Sequence, residues 1–242
     1  MDDKTASLII ELRTQGLPGK AIARRLGLRP AEVGALIRQH AAQIEASVDP
    51  AALGALDACY ISPGFSTGLG FSAQAQGWPA YDSGYGGSEG LVSALWLRAS
   101  RYGRLTACGA LVDVYCLGVK NALGPKNLHA DELRSFVSRY FRPYDAPPVE
   151  VPFELVQNLV LGAVEYAGAL GLEPHPDFAA VRPSLGTWQG PSSIHFGKNG
   201  RPLYMPGPND DVFRIVQTLR RTVGDGEFDC VDRLGFAPFA LS

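Results

Sequence analysis

Apolar residues in the first forty positions recur three and four apart: Leu8, Ile9 and Leu12, then Ile22 and Leu26, then Val33 and Leu36. That spacing lays them along one stripe of a helix. It predicts a helix over Thr5 to Gln15, a second opened by Pro18-Gly19, and a third from Pro30 to about Ala46. Gly16-Leu17-Pro18 breaks the first, and Pro30 suits the first turn of the third. Three helices around one shared stripe predict a trihelical unit, residues 1–46. Residues 46–56, with Asp49-Pro50, read as a connector to a second unit over 57–242.

The pattern then changes. Cys59 to Gly90 is rich in Gly, Ser, Pro and aromatics without a period, and predicts a long irregular stretch. Leu91–Ala99 and Arg104–Leu117 alternate as a strand pair turning near Tyr102-Gly103. In the second, Leu105, Ala107, Leu111, Asp113, Tyr115 and Leu117 share one face. Cys108, Ala110, Val112, Val114 and Cys116 share the other. Two helices are predicted next. Ala130–Phe141 is amphipathic, and Phe153–Leu170 is apolar nearly all round, which predicts a central, buried position. Ile194 to Met205 reads as a hairpin about Asn199-Gly200, with Phe196 opposite Leu203 and Ile194 opposite Met205. A last helix starts near Asn209. Strand pairs and three main helices in this order predict an α+β fold with antiparallel strands behind the trihelical unit.

The segment Ile22-Ala23-Arg24-Arg25-Leu26-Gly27-Leu28, with Pro30-Ala31-Glu32-Val33 and Leu36-Ile37, resembles the helix-turn-helix of site-specific recombinases and sigma-like regulators. Ala23 is small enough for two helices to cross, and Gly27 supplies the positive φ of a tight turn. The resemblance covers residues 5–40 and implies a bacterial DNA-binding protein, a transcriptional regulator or accessory, whose recognition helix is Pro30–His40. It implies phosphate contacts from Arg24, Arg25, Arg29 and Arg38, and base contacts from Gln39 or Arg29. Against this, Gly34 and Ala35 offer little to hydrogen-bond, Glu32 repels phosphates, and Arg29 stands where a capping Ser or Thr is usual. A packing or dimerisation unit without DNA contact is the alternative. One short recognition helix binds weakly alone, so a homodimer is expected. Further on, Val112 to Lys120, Gly162 to Ala167 and Leu172 to Phe178 are similar to a set of uncharacterised bacterial proteins, which implies no activity.

Charge adds a modest constraint. The net charge is −2, which argues against bulk coating of nucleic acid. Residues 1–45 nevertheless hold seven Lys/Arg against five Asp/Glu, and the remainder 15 against 19. A basic head on an acidic body fits a DNA-facing head. The longest apolar run, Leu159 to Leu170, is too short for a bilayer and contains Glu165, so no membrane partner is expected. Met1-Asp2-Asp3-Lys4 is unlike a secretory signal. Cys59, Cys108, Cys116 and Cys230 form no CxxC pair, and the expectation is reduced thiols in a cytoplasmic protein.

Candidate chemistry is sparse. Asp113 sits mid-strand among apolar neighbours, and a buried carboxylate needs a partner; Lys120 or the following loop is the expected one. Asp113, Glu165, His175 and Asp177 are the catalytic candidates for a hydrolase or nuclease. No two of them show a recognised metal-ligand spacing, and neither metal nor cofactor is expected. Asp210 and Asp211 suit a helix N-terminus. Cys116 has Lys120 nearby but no assignable His or Asn, so a structural thiol is the simpler reading. Gly84 to Gly90 is Gly-rich, but no strand precedes it and no Lys-Ser/Thr follows, so irregular turns account for it better than a phosphate loop. The second unit is thus expected to bind a small molecule, a protein or a second copy. A protein-interaction role, with the apolar tail Phe236–Leu241, stands beside the DNA-binding and hydrolase readings.

Overall fold

The computed structural model describes residues 3–14, 17, 19–47, 53–75, 78, 90–100 and 103–231. The chain is a mixed α+β structure. Its first three helices are α1 (Asp3–Thr14), α2 (Gly19–Leu26) and α3 (Pro30–Ser47). Ile9, Leu12, Ile22, Ala23, Val33 and Ile37 are buried between them, with Leu17, Leu26, Leu28 and Leu36 half-buried around this centre. Burying each large side chain contributes roughly 1.5–3 kcal/mol. Leu8, expected inside, is 41% exposed. The stripe of α1 centres on Ile9 and Leu12, three apart, and leaves Leu8 at its margin. Gly27 ends α2 at φ 67°, and the Leu28 amide donates to Ala23 O at 2.9 Å. That bond is the 6→1 closure of a Schellman motif, which turns the chain into α3.

The body holds strands β1 (Leu56–Ile61), β2 (Gly70–Phe71), β3 (Leu91–Ala99), β4 (Arg104–Asp113), β5 (Gly118–His129) and β6 (Val149–Glu150). Between and after them come α4 (Leu133–Tyr140), α5 (Phe153–Ala169), α6 (Phe178–Val181), β7 (Ile194–His195), β8 (Leu203–Tyr204), α7 (Val212–Thr222) and β9 (Asp229–Cys230). Five strands make one antiparallel sheet in the order β5-β4-β3-β1-β6. Strand alternation sends Cys59, Ile61, Val92, Ala94, Trp96, Cys108, Ala110 and Val112 into the core beneath α5. There they meet Leu155, Val156, Leu159, Val160 and Ala163, so the helix expected to be central is central. Leu95, Leu97, Ala107 and Leu128 face the other way, onto Phe136 of α4 and Phe141. The sheet is therefore covered on both faces.

Three expectations need correction. The Cys59–Gly90 stretch begins inside a strand, because β1 runs through Cys59, Tyr60 and Ile61 and pairs with β3. The strand expected over Arg104–Leu117 stops at Asp113. Asp113 Oδ1 accepts the Tyr115 and Cys116 amides, both at 3.0 Å, and folds Val114–Leu117 into a turn. From Gly118 the chain runs back beside β4 as the edge strand β5, which was not foreseen. Finally, Asn199 (φ 54°) and Gly200 (φ 82°) do form the tight turn, closed by a bridge between Lys198 and Arg201. Its arms then part instead of pairing. The Gly197 amide donates to Val114 O (3.0 Å) and the Leu203 amide to Tyr115 O (3.2 Å), so the 114–117 turn lies where the hairpin ladder would have closed. β7 pairs with β2, and β8 runs parallel to β9.

Candidate functional site

The first three helices gather the basic side chains on their outside. Lys20, Arg24 and Arg25 of α2 and Arg29 ahead of α3 are exposed. Lys20 and Arg24 are four apart and share one face. Sequence reading had passed over Lys20, which its i,i+4 relation to Arg24 marks. The outer surface of α3 includes Ala31, Ala35 and Gln39, all exposed, with Glu32 and Gly34 half-exposed. The Arg38 side chain lies outside the described residues. Arg29 Nε donates to Glu32 Oε1 at 3.0 Å, and its Nη2 reaches the same oxygen. This hydrogen bond and the attraction of the two charges raise the Arg29 pKa, and the same hydrogen bond lowers that of Glu32. The first turn of α3 has no capping hydroxyl. Arg29 O instead accepts the Glu32 and Val33 amides at 3.0 and 3.3 Å.

These helices are fastened to the body. Arg13 of α1 donates to Asp177 Oδ1 through Nε (2.8 Å) and to Oδ2 through Nη2, with both side chains about one-fifth exposed. A fork-to-fork pairing of this kind fixes direction as well as distance. α3 also lies against α6. Arg13 and Asp177 are 164 positions apart, and no local signal joins them.

Among the four catalytic candidates, hydrogen bonds and ion pairs join only His175 to Asp177. The Asp177 amide donates to His175 Nδ1 at 3.3 Å, and Nδ1 lies 3.6 Å from Asp177 Oδ2. Burial, then the nearby Arg13 charge, lowers the His175 pKa. The ring is accordingly neutral, with its Nδ1 lone pair spent on the backbone. Asp113 is 3% exposed, and burial lifts its pKa to about 6 against the opposing pull of the Tyr115 and Cys116 amides. Its partner is its own turn. Lys120 pairs with Asp210 instead (3.0 Å), and Asp210 Oδ2 also accepts from the Gly207 amide (2.8 Å) and Tyr204 OH (3.4 Å). Of the two neighbouring acids, Asp211 alone caps α7, accepting the Arg214 amide at 3.2 Å. Glu165 is exposed and bonded by Trp188 Nε1.

Among the described residues no group of three or more His, Cys, Asp or Glu is placed to share a metal ion. Cys59, Cys108 and Cys116 are buried thiols outside any disulfide, and Cys116 is fully buried with its pKa raised by burial. Gly84 to Glu89 and Phe236–Leu241 lie outside the described residues. No helix among the described residues is long and apolar enough to cross a membrane. On the body, a groove of about 770 Å³ runs along α4, lined by Tyr60, Leu133, Val137, Phe141 and Tyr144 with Arg134 and Arg142 beside them. Compared with protein-family models, with curated proteins and with solved structures, the chain matches none.

Proposed function

We propose that the chain is a DNA-binding protein in which α2, Gly27 and α3 form a helix-turn-helix and α3 enters the major groove. The body holds this head in place and takes up a ligand, a partner or a second copy. One observation carries the reading. At the α2–α3 crossing Ala23 and Val33 are buried against each other's helices, Gly27 makes the turn, and Lys20, Arg24, Arg25 and Arg29 all remain outside. A purely structural three-helix unit has no need to keep four cations on the flank of its tightest turn. The acidic body is consistent with this arrangement, since repulsion turns the head toward the duplex.

The test is a gel-shift titration of the full chain against random-sequence duplex at 50 and 200 mM salt. Phosphate contacts from Lys20, Arg24 and Arg25 release enough counterions to weaken binding about 40-fold over that range. Replacing Arg24 and Arg25 together by Ala is expected to reduce the slope of log K against log salt by about 2. Absence of salt-dependent binding by the native chain would sink the proposal.

A further inference from the structure

An acid on the leading turn of a DNA-facing helix is unfavourable beside phosphates, and the structure places Arg29 over this one. Both guanidinium nitrogens used in the pair reach the same oxygen, Glu32 Oε1. Glu32 Oε2 is left as an acceptor, and three of the five guanidinium N–H groups are left as donors. The Arg29 side chain is 82% exposed and that of Glu32 37%. The pair therefore exposes a group of donors with one acceptor beside it, with little net charge.

Resting on the DNA-binding reading, we infer that the Arg29–Glu32 pair reads one G·C base pair, with Glu32 accepting the N4 amine of cytosine and Arg29 donating to guanine O6 and N7. The order of groups across the major groove decides between base pairs. A G·C pair shows two acceptors side by side and then one donor, the complement of the order that the side-chain pair presents. An A·T pair sets its donor between two acceptors, so a guanidinium cannot take two adjacent acceptors there. Arg29 also holds the Glu32 carboxyl below its ordinary pKa, which keeps Glu32 an acceptor only. The pairing further accounts for an acid that phosphate contact alone disfavours.

The experiment enriches a random duplex pool on the native full chain, then repeats it with Glu32→Gln and Glu32→Ala, with circular dichroism to check folding. The native chain is expected to favour G·C at one position by about 5- to 150-fold, the range of a good side-chain–base pair. Glu32→Gln should move that position toward A·T, because Gln matches adenine N6 and N7, and Glu32→Ala should leave it without preference. Salt-dependent binding whose preferences stay the same in both variants overturns the assignment while the DNA-binding reading stands. No salt-dependent binding by the native chain overturns both.

Discussion

Gly118 offers the sharpest test of how the body is assembled. It opens β5 at φ +65°, and a Cβ built there would lie 2.7 Å from the Ala167 Cβ and 2.8 Å from the Ala163 carbonyl oxygen of α5. Gly118→Ala thus meets two penalties. The left-handed backbone costs an L-residue about 1–2 kcal/mol. Forcing α5 off the sheet adds about 1–3 kcal/mol of overpacking. The total is about 2–5 kcal/mol, which in a chain of this length lowers Tm by roughly 5–15 °C. Gly103 provides the control, with almost the same φ (+67°) and no atom of the described residues within 4 Å of its built Cβ. Gly103→Ala should therefore show only the backbone part, about 1–2 kcal/mol. Urea unfolding followed by tryptophan fluorescence suits the measurement, since Trp96 is fully buried between sheet and α5. The reasoning fails if the two variants lose stability to within about 0.5 kcal/mol of each other, because packing under α5 would then contribute nothing.

Three further outcomes are expected. Arg13→Ala and Asp177→Ala, taken as a double-mutant cycle, should show a coupling of roughly 1–2 kcal/mol, between the ranges for exposed and buried pairs, and additive losses would deny the link. Asp113 has a pKa near 6 when folded against about 3.9 in an unfolded chain, so the folded state holds the extra proton between those values. Stability should accordingly fall by about 2 kcal/mol as pH rises from 4 to 6, and Asp113→Asn should flatten that slope in urea midpoints. In iodoacetamide labelling at pH 8, half-buried Cys230 should react before the buried Cys59, Cys108 and Cys116, whose thiols burial pushes up; equal rates would contradict their placement.

The parts that were legible in the sequence are those whose cause is local. Ala23, Gly27 and Val33 lie within eleven positions of one another, and their sizes and φ requirement dictate a turn between helices. Asn199-Gly200 likewise announces its turn. The course of the two arms beyond it depends on Val114 and Tyr115, some eighty positions earlier, whose carbonyls take the amides of Gly197 and Leu203. Strand β5 was illegible for another reason. Lys120, Asn121, Lys126 and Asn127 give it the polar look of a loop, which is how an edge strand avoids joining foreign edges. In the candidate site, single residues were readable but their partners were not. Glu32 was visible as an acid out of place, and only the fold shows Arg29 lying over it.

The turn at 114–117 collects more than one strand end. The Val114 amide donates to Gly90 O, Val114 and Tyr115 carbonyls receive Gly197 and Leu203, and the Tyr115 hydroxyl reaches Thr67 O at 2.7 Å. Segments that are otherwise remote along the chain hang from these two residues. Local opening elsewhere in the molecule frees one loop at a time, but opening here releases the arms about 67, 90, 197 and 203 together. The amides of Val114, Gly197 and Leu203 should then exchange with solvent as one block, at a single free energy, because one four-residue turn latches all of these arms.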